Sequence, residues 1–203
     1  SRGPGGLKLT GVTAPGGRVV LRGGNTPAFA TGSDEAGRFA LTLSTPPVDT
    51  VFAVESQRGE QAAPAPYALL VSHEPAGPIV MVAEGAPSRR LDGDGVMDSV
   101  DSDGRALLAA GRAAPRSTVV IRAGDRAVDA IADTDGRWSA VLTSDGAGPM
   151  SIVVAGRRYD YPGSGAAPAA DEGEVRLEPA GQGRRAVWRL GPRAWRSSWF
   201  PSS

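Results

Sequence analysis

The densest set of candidate metal ligands is the run Leu91-Asp92-Gly93-Asp94-Gly95-Val96-Met97-Asp98-Ser99-Val100-Asp101-Ser102-Asp103-Gly104. Calcium is a hard cation that takes roughly six to eight oxygens, and loops of alternating aspartates supply them. Asp92, Asp94, Asp98, Asp101 and Asp103 are therefore the candidate ligands, and calcium is the one cofactor the sequence suggests. Neither frame of the run is complete. Counting from Asp92 and Asp94 puts Arg90 where a first aspartate belongs, and counting from Asp101 and Asp103 puts Ser99 there. No bidentate glutamate closes either frame. The favoured reading is a solvated linker that runs into a strand, with Asp103-Gly104 as a turn and no metal, and calcium is its alternative.

Nucleophilic chemistry has little to work with. The chain has no cysteine, so disulfides, thiolate metal sites and a cysteine nucleophile are ruled out, and its one histidine, His73, rules out a multi-histidine centre. A serine nucleophile needs a histidine base oriented by a carboxylate, and no Gly-x-Ser-x-Gly elbow accompanies Ser72-His73-Glu74. His73 reads as a surface histidine at a strand end. The acids fall mostly in turns and linkers, and no pair stands out for carboxylate-pair hydrolysis. We expect no enzyme.

The C-terminal block carries a different chemistry. Trp188, Trp195 and Trp199 alternate there with Arg184, Arg185, Arg189, Arg193 and Arg196, and no acid lies between Gly181 and Ser203. Tryptophan and arginine dominate interface hot spots through apolar area and planar, multi-donor charge. They also stack on sugars and pair with anions. Ala186–Leu190, a Gly191-Pro192-Arg193 turn and Ala194–Phe200 read as a hairpin. Either its aromatics close a sandwich, or they form a docking surface. Trp188, Arg189, Trp195, Arg196 and Trp199 are the candidate contact residues of the second reading.

These groups must be positioned by β-structure. Gly (28) and Pro (17) are abundant in the 203 residues, which argues against long helices. The charges balance, 22 against 22, so no global field draws the chain to nucleic acid. No apolar run is long enough for a membrane-spanning helix. The chain starts at Ser1, and an export signal would have been removed before it.

Self-similarity then organises the chain. Gly11-Val12-Thr13-Ala14-Pro15 with Val19-Val20-Leu21-Arg22 recurs as Gly111-Arg112-Ala113-Ala114-Pro115 with Val119-Val120-Ile121-Arg122, at an offset of 100. Asp34-Glu35-Ala36-Gly37-Arg38-Phe39 recurs as Asp133-Thr134-Asp135-Gly136-Arg137-Trp138, at an offset of 99. A period this long means domains that each enclose a core, not solenoid turns. Period-two alternation predicts strands at Leu7–Val12, Arg18–Arg22, Thr26–Thr31, Arg38–Leu43, Val51–Glu55, Tyr67–Ser72 and Pro78–Ala83. In the second copy it predicts Ala106–Ala110, Thr118–Arg122, Ala127–Ala132, Trp138–Leu142 and Ser151–Ala155. Short strands with frequent turns favour a β-sandwich.

The Ala-Pro-x-x-x-Val-Val strand followed by Asp-x-x-Gly-Arg-aromatic resembles the bacterial immunoglobulin-like repeats of exported and cell-surface proteins. The match spans about residues 7–56 and 100–156, and Arg116 stands where the repeats usually carry a turn glycine. The resemblance implies an all-β fold of two tandem immunoglobulin-like β-sandwich domains with a C-terminal β-hairpin. The expected boundaries are 1–84 for the first domain, 85–97 for a linker and 98–203 for the second domain with its hairpin. The implied function is a non-enzymatic structural or adaptor protein of the bacterial cell envelope, periplasmic or extracellular. It would dock an envelope protein or larger assembly through sandwich edges and the hairpin. A glycan- or peptidoglycan-binding module and a calcium-stiffened adhesin are the alternatives.

Overall fold

A computed structural model describes residues 1–3, 6–24, 26–142, 148–166, 175–189 and 195–202. Within them the chain is all-β, and its strand pairings are antiparallel. It divides into two compact units, Ser1–Glu84 and Gly85–Ser203.

The first unit holds β1 (Arg2–Gly3), β2 (Gly6–Val12), β3 (Arg18–Gly23), β4 (Phe29–Gly32), β5 (Arg38–Leu43), β6 (Thr50–Arg58), β7 (Gln61–Val71) and β8 (Ile79–Val82). One sheet runs β1–β2–β5, the other β4–β3–β6–β7–β8. Alternation decides the inner faces. Leu7 of β2 and Leu41 and Leu43 of β5 meet Leu21 of β3, Phe52 of β6 and Leu69 and Val71 of β7 in one core. Leu7 and Phe52 are fully buried, and each such side chain contributes about 1.5–3 kcal/mol of transfer free energy.

The second unit holds β9 (Arg89–Arg90), β10 (Met97–Ser102), β11 (Leu107–Arg112), β12 (Thr118–Ala123), β13 (Arg126–Ile131), β14 (Arg137–Leu142), β15 (Met150–Val154), β16 (Arg157–Tyr161), β17 (Arg176–Pro179), β18 (Gly183–Arg189) and β19 (Trp195–Pro201). Its sheets run β14–β11–β10–β19–β18–β17 and β13–β12–β15–β16. Val100, Leu107, Trp138 and Trp199 of the first sheet pack with Ile121, Ile152, Val154 and Tyr161 of the second.

The turns entering β5 and β14 are built alike. Asp34 Oδ1 accepts the amides of Ala36 (2.9 Å) and Arg38 (2.8 Å), and Asp133 Oδ1 accepts those of Asp135 (2.9 Å) and Arg137 (2.8 Å). The Thr13 amide donates to Gly37 O at 2.8 Å, and the Ala113 amide donates to Gly136 O at 2.9 Å. Gly37 (φ +76°) and Gly136 (φ +73°) are left-handed, and a Cβ on either would collide with the carbonyl of Thr13 or Ala113. Gly16 (φ +65°) is matched by Arg116 (φ +62°). The arginine in the glycine's place therefore carries the left-handed strain that L-residues avoid.

Two expectations change. Residues 85–97 are bound into the second unit, since Ser88 is fully buried and Met97 belongs to the core. The aspartate-rich run, read as a loop or linker, contains β10, a strand hydrogen-bonded on both sides, to β11 and β19.

Candidate functional site

Strand formation scatters the five candidate calcium ligands, because alternate residues of a strand point to opposite faces. Asp98 and Asp101 are buried in β10, whereas Asp94 is exposed before it. Asp92 takes the guanidinium of Arg90, with Nη2 3.0 Å from Oδ2. Asp98 takes Arg137 Nη1 at 2.7 Å, and Arg112 Nε stands 3.0 Å away on its other oxygen. Asp103 accepts the amides of Arg105 (2.9 Å) and Ala106 (3.0 Å) in a turn, and these bonds hold its carboxyl below its ordinary value. Among the described residues no group of three carboxylate, histidine or cysteine side chains converges as a cation would need. Asp92, Asp98, Asp101 and Asp103 thus take four separate structural roles, and Asp94 is exposed.

Asp101 is the hub of what those residues do instead. Its Oδ2 accepts the Ser88 amide at 2.6 Å, and its Oδ1 accepts Ser88 Oγ at 2.7 Å and Ser198 Oγ of β19. Ser99 Oγ donates to Ser88 O at 2.7 Å. Burial pushes the Asp101 carboxyl up, against the lowering effect of the Ser198 and Ser88 hydrogen bonds. Asp98 is likewise raised by burial, opposed by Arg112, Arg137 and Arg90. Arg112 completes the fastening by donating to Gly93 O (2.6 Å) and Arg90 O (2.5 Å), while Arg90 Nη1 reaches Pro201 O at 2.6 Å. Residues 88–93 thus form a strap clipped to β10, β11 and the end of β19. Sequence reasoning missed Ser88, Ser198 and Arg112. The two serines have no motif around them, and Arg112, although inside the repeated Gly-x-x-Ala-Pro segment, shows no partner until the sheet places it.

The hairpin reading holds in the pairing, which runs in register from Gly183 opposite Pro201 to Arg189 opposite Trp195. The Gly191-Pro192-Arg193 turn and the Arg189 side chain lie outside the described residues. The docking role is corrected for Trp199 and Trp188 alone. β19 is an interior strand of its sheet, so Trp199 is 1% exposed, stacks edge-on against Tyr161 at 5.8 Å and donates Nε1–H to Ala180 O at 2.9 Å. Trp188 is 8% exposed. Neither can meet a partner or stack on a sugar. Trp195 is half-buried over Gly104, where a Cβ would come within 3.0 Å of its ring, and Arg196 is half-buried within electrostatic reach of Asp101.

His73 does pair with a carboxylate. Nδ1 lies 2.7 Å from Asp49 Oδ1, which also accepts the His73 amide (2.9 Å) and Ser72 Oγ (3.1 Å). Partial burial pushes Asp49 up, yet the His73 and Ser72 hydrogen bonds outweigh it and hold the carboxyl below its ordinary value. Ser72 therefore serves the carboxylate and not the imidazole, the wrong side for a nucleophile.

A concavity of about 230 Å³ lies beside the strap, lined among others by Arg89, Asp98, Gly111, Asp133, Arg137 and Ser139. Asp98 and Arg137 answer each other inside it. Among the described residues no helix is long and apolar enough to cross a membrane. No family model matches the chain, and no curated protein or solved structure is significantly similar to it.

Proposed function

We propose that the chain is a non-enzymatic structural or adaptor protein of the bacterial cell envelope, working outside the cytoplasm. Two immunoglobulin-like units would hold a protein partner at their sheet edges. The observation that carries this reading is the shared strand order of the units. β1–β2–β5 with β4–β3–β6–β7 in the first corresponds to β10–β11–β14 with β13–β12–β15–β16 in the second. The matched Asp-x-x-Gly-Arg turns and the left-handed pair Gly16 and Arg116 support the same duplication. Duplicated sandwiches of this kind supply rigid shape, and their edge strands offer rows of backbone donors and acceptors for docking.

The test uses the full chain as bait in detergent-solubilised bacterial envelopes, beside a glycan array. One protein captured in stoichiometric amount, with no glycan retained, is the expected result. Saturable glycan binding without a protein would replace the adaptor with a carbohydrate-binding module. Turnover of a substrate by the purified chain would end the non-enzymatic reading.

A further inference from the structure

The two units differ along the strand that leaves the Asp-x-x-Gly-Arg turn. That strand is the last of its sheet in each, β5 in the first unit and β14 in the second. Gly136 O takes the Ala113 amide at 2.9 Å, so Gly136, Trp138 and Ala140 turn their backbone groups to β11. Backbone direction alternates along a strand. Ser139 and Val141 therefore turn theirs to the side where, among the described residues, no strand lies. In the first unit the matching carbonyl, Ala40 O, is capped by Thr31 Oγ1 at 3.0 Å. At the offset of 99 Ala130 stands in the place of Thr31, and its methyl group cannot cap Ser139 O.

The edges of the facing sheet are guarded by charge. β13 carries Arg126 and Asp129, and β16 carries Arg157, Arg158 and Asp160. On β14 the guanidinium of Arg137 is held by Asp98, and from Trp138 to Leu142 the strand has neither a charge nor a proline. Val141, in the middle of this stretch, is 58% exposed.

The concavity of about 230 Å³ borders the same edge, since Arg137, Trp138 and Ser139 line it. Two of its lining residues carry a donor without an acceptor. Arg89 of the strap, half-buried, makes no hydrogen bond or ion pair with a described residue, although Arg90, Arg112 and Arg137 all do. Trp138 is 3% exposed, and its indole Nε1–H is buried without a partner. Buried donors are almost always answered. A free guanidinium near a second unanswered donor suits a carboxylate. The two acids of the lining are already engaged: Asp98 by Arg112 and Arg137, and Asp133 Oδ1 by the Asp135 and Arg137 amides.

We propose that an extended segment of a partner polypeptide lies along β14, pairing its backbone with Ser139 and Val141 and passing an acidic side chain into the concavity to meet Arg89. Charge selects this occupant, because the unanswered cation of the lining is Arg89. Alternate side chains of a strand point the same way, so one acid can enter the hollow while its neighbours face away. An aliphatic residue of the segment covers the exposed side chain of Val141, as cross-strand pairs do. The inference deepens the adaptor reading and rests on it for its purpose, but not for its geometry.

The experiment titrates the full ¹⁵N-labelled chain with the capped peptide Thr-Val-Thr-Glu-Thr-Val-Thr and with a twin that has glutamine for the glutamate. A short strand can slide along the edge in steps of two residues, which lets the single acid find Arg89. Saturable shifts centred on Ser139–Val141 and on the Trp138 indole N–H are expected, with exchange of the Ser139 and Val141 amides slowed at least about tenfold. The glutamine twin should bind at least about fivefold more weakly. Arg89→Gln should lower the affinity for the glutamate peptide to that of the twin. Val141→Pro removes an outward N–H without touching the β11–β14 ladder and should abolish binding of both peptides. Should that variant fail to fold, Arg89→Gln decides alone. No shifts at about 1 mM peptide, shifts elsewhere, or equal binding of the two peptides would overturn the proposal. Self-association of the chain that Val141→Pro abolishes would overturn it too, by giving the edge to a second copy. A partner captured from envelopes without peptide binding sinks this edge and leaves the adaptor. Peptide binding without any envelope partner does the reverse.

Discussion

Asp101 is a carboxylate taken almost wholly out of water, and its donors are all short-range: one amide and two hydroxyls. Removing the acceptor leaves the Ser88 amide buried without its partner and strips the Ser88 and Ser198 hydroxyls, 3.1 Å apart, of their shared acceptor. Asp101→Ala should therefore destabilise the second unit by about 2–4 kcal/mol, read by urea denaturation. The pH dependence has a definite sign. Because burial raises Asp101 and Asp98, the folded chain holds more protons than the unfolded one between the ordinary carboxylate value and the raised one. Their contribution to stability falls as pH rises through that window. Asp49 and Asp103 are lowered and act oppositely, with stability lost as pH falls through their depressed values. Denaturation curves between about pH 3 and pH 7 should show the first component shrink in Asp101→Asn. The aspartates themselves were plain in the sequence, but their roles were not, since a carboxylate's partner is set by the strand it faces. Millimolar calcium should leave the melting temperature unchanged. A rise of several degrees would restore the ligand reading.

At the scale of elements, the turn into β5 and the turn into β14 depend on a residue that can take positive φ under a carbonyl. Gly37→Ala and Gly136→Ala should each cost about 2–4 kcal/mol, from left-handed strain plus the clash with Thr13 or Ala113. Arg116→Gly should gain about 0.5 kcal/mol, the relieved strain being partly offset by the greater freedom of glycine in the unfolded chain. β19 is a larger matter. It fills the place between β10 and β18 and inserts Trp199 into the core. A chain ending at Gln182 should lose slow amide exchange across β10–β16 in the second unit, which exchange mass spectrometry would show. The hairpin is readable from alternation around a turn; its central position is not, because it depends on pairing with β10, a strand nearly a hundred residues away in the chain.

Across the whole molecule, each unit encloses its own core, one built on Leu7, Phe52 and Leu69, the other on Leu107, Ile121 and Trp199. Gly37→Ala should therefore quicken amide exchange first within Ser1–Glu84, and Gly136→Ala first within Gly85–Ser203. A uniform increase over the chain in either variant would show that neither core stands by itself. The all-β class, most strand positions and the two Asp-x-x-Gly-Arg turns were determined by the sequence alone. Period-two alternation, glycine under a carbonyl and aspartate over free amides are local requirements, satisfied within a few residues. Only the tertiary structure decided that the aspartate run is a strand and a strap, and that Trp188 and Trp199 are buried. Each depends on which strand lies alongside which. That pairing joins residues as far apart as Ser88 and Ser198, and no local pattern encodes it.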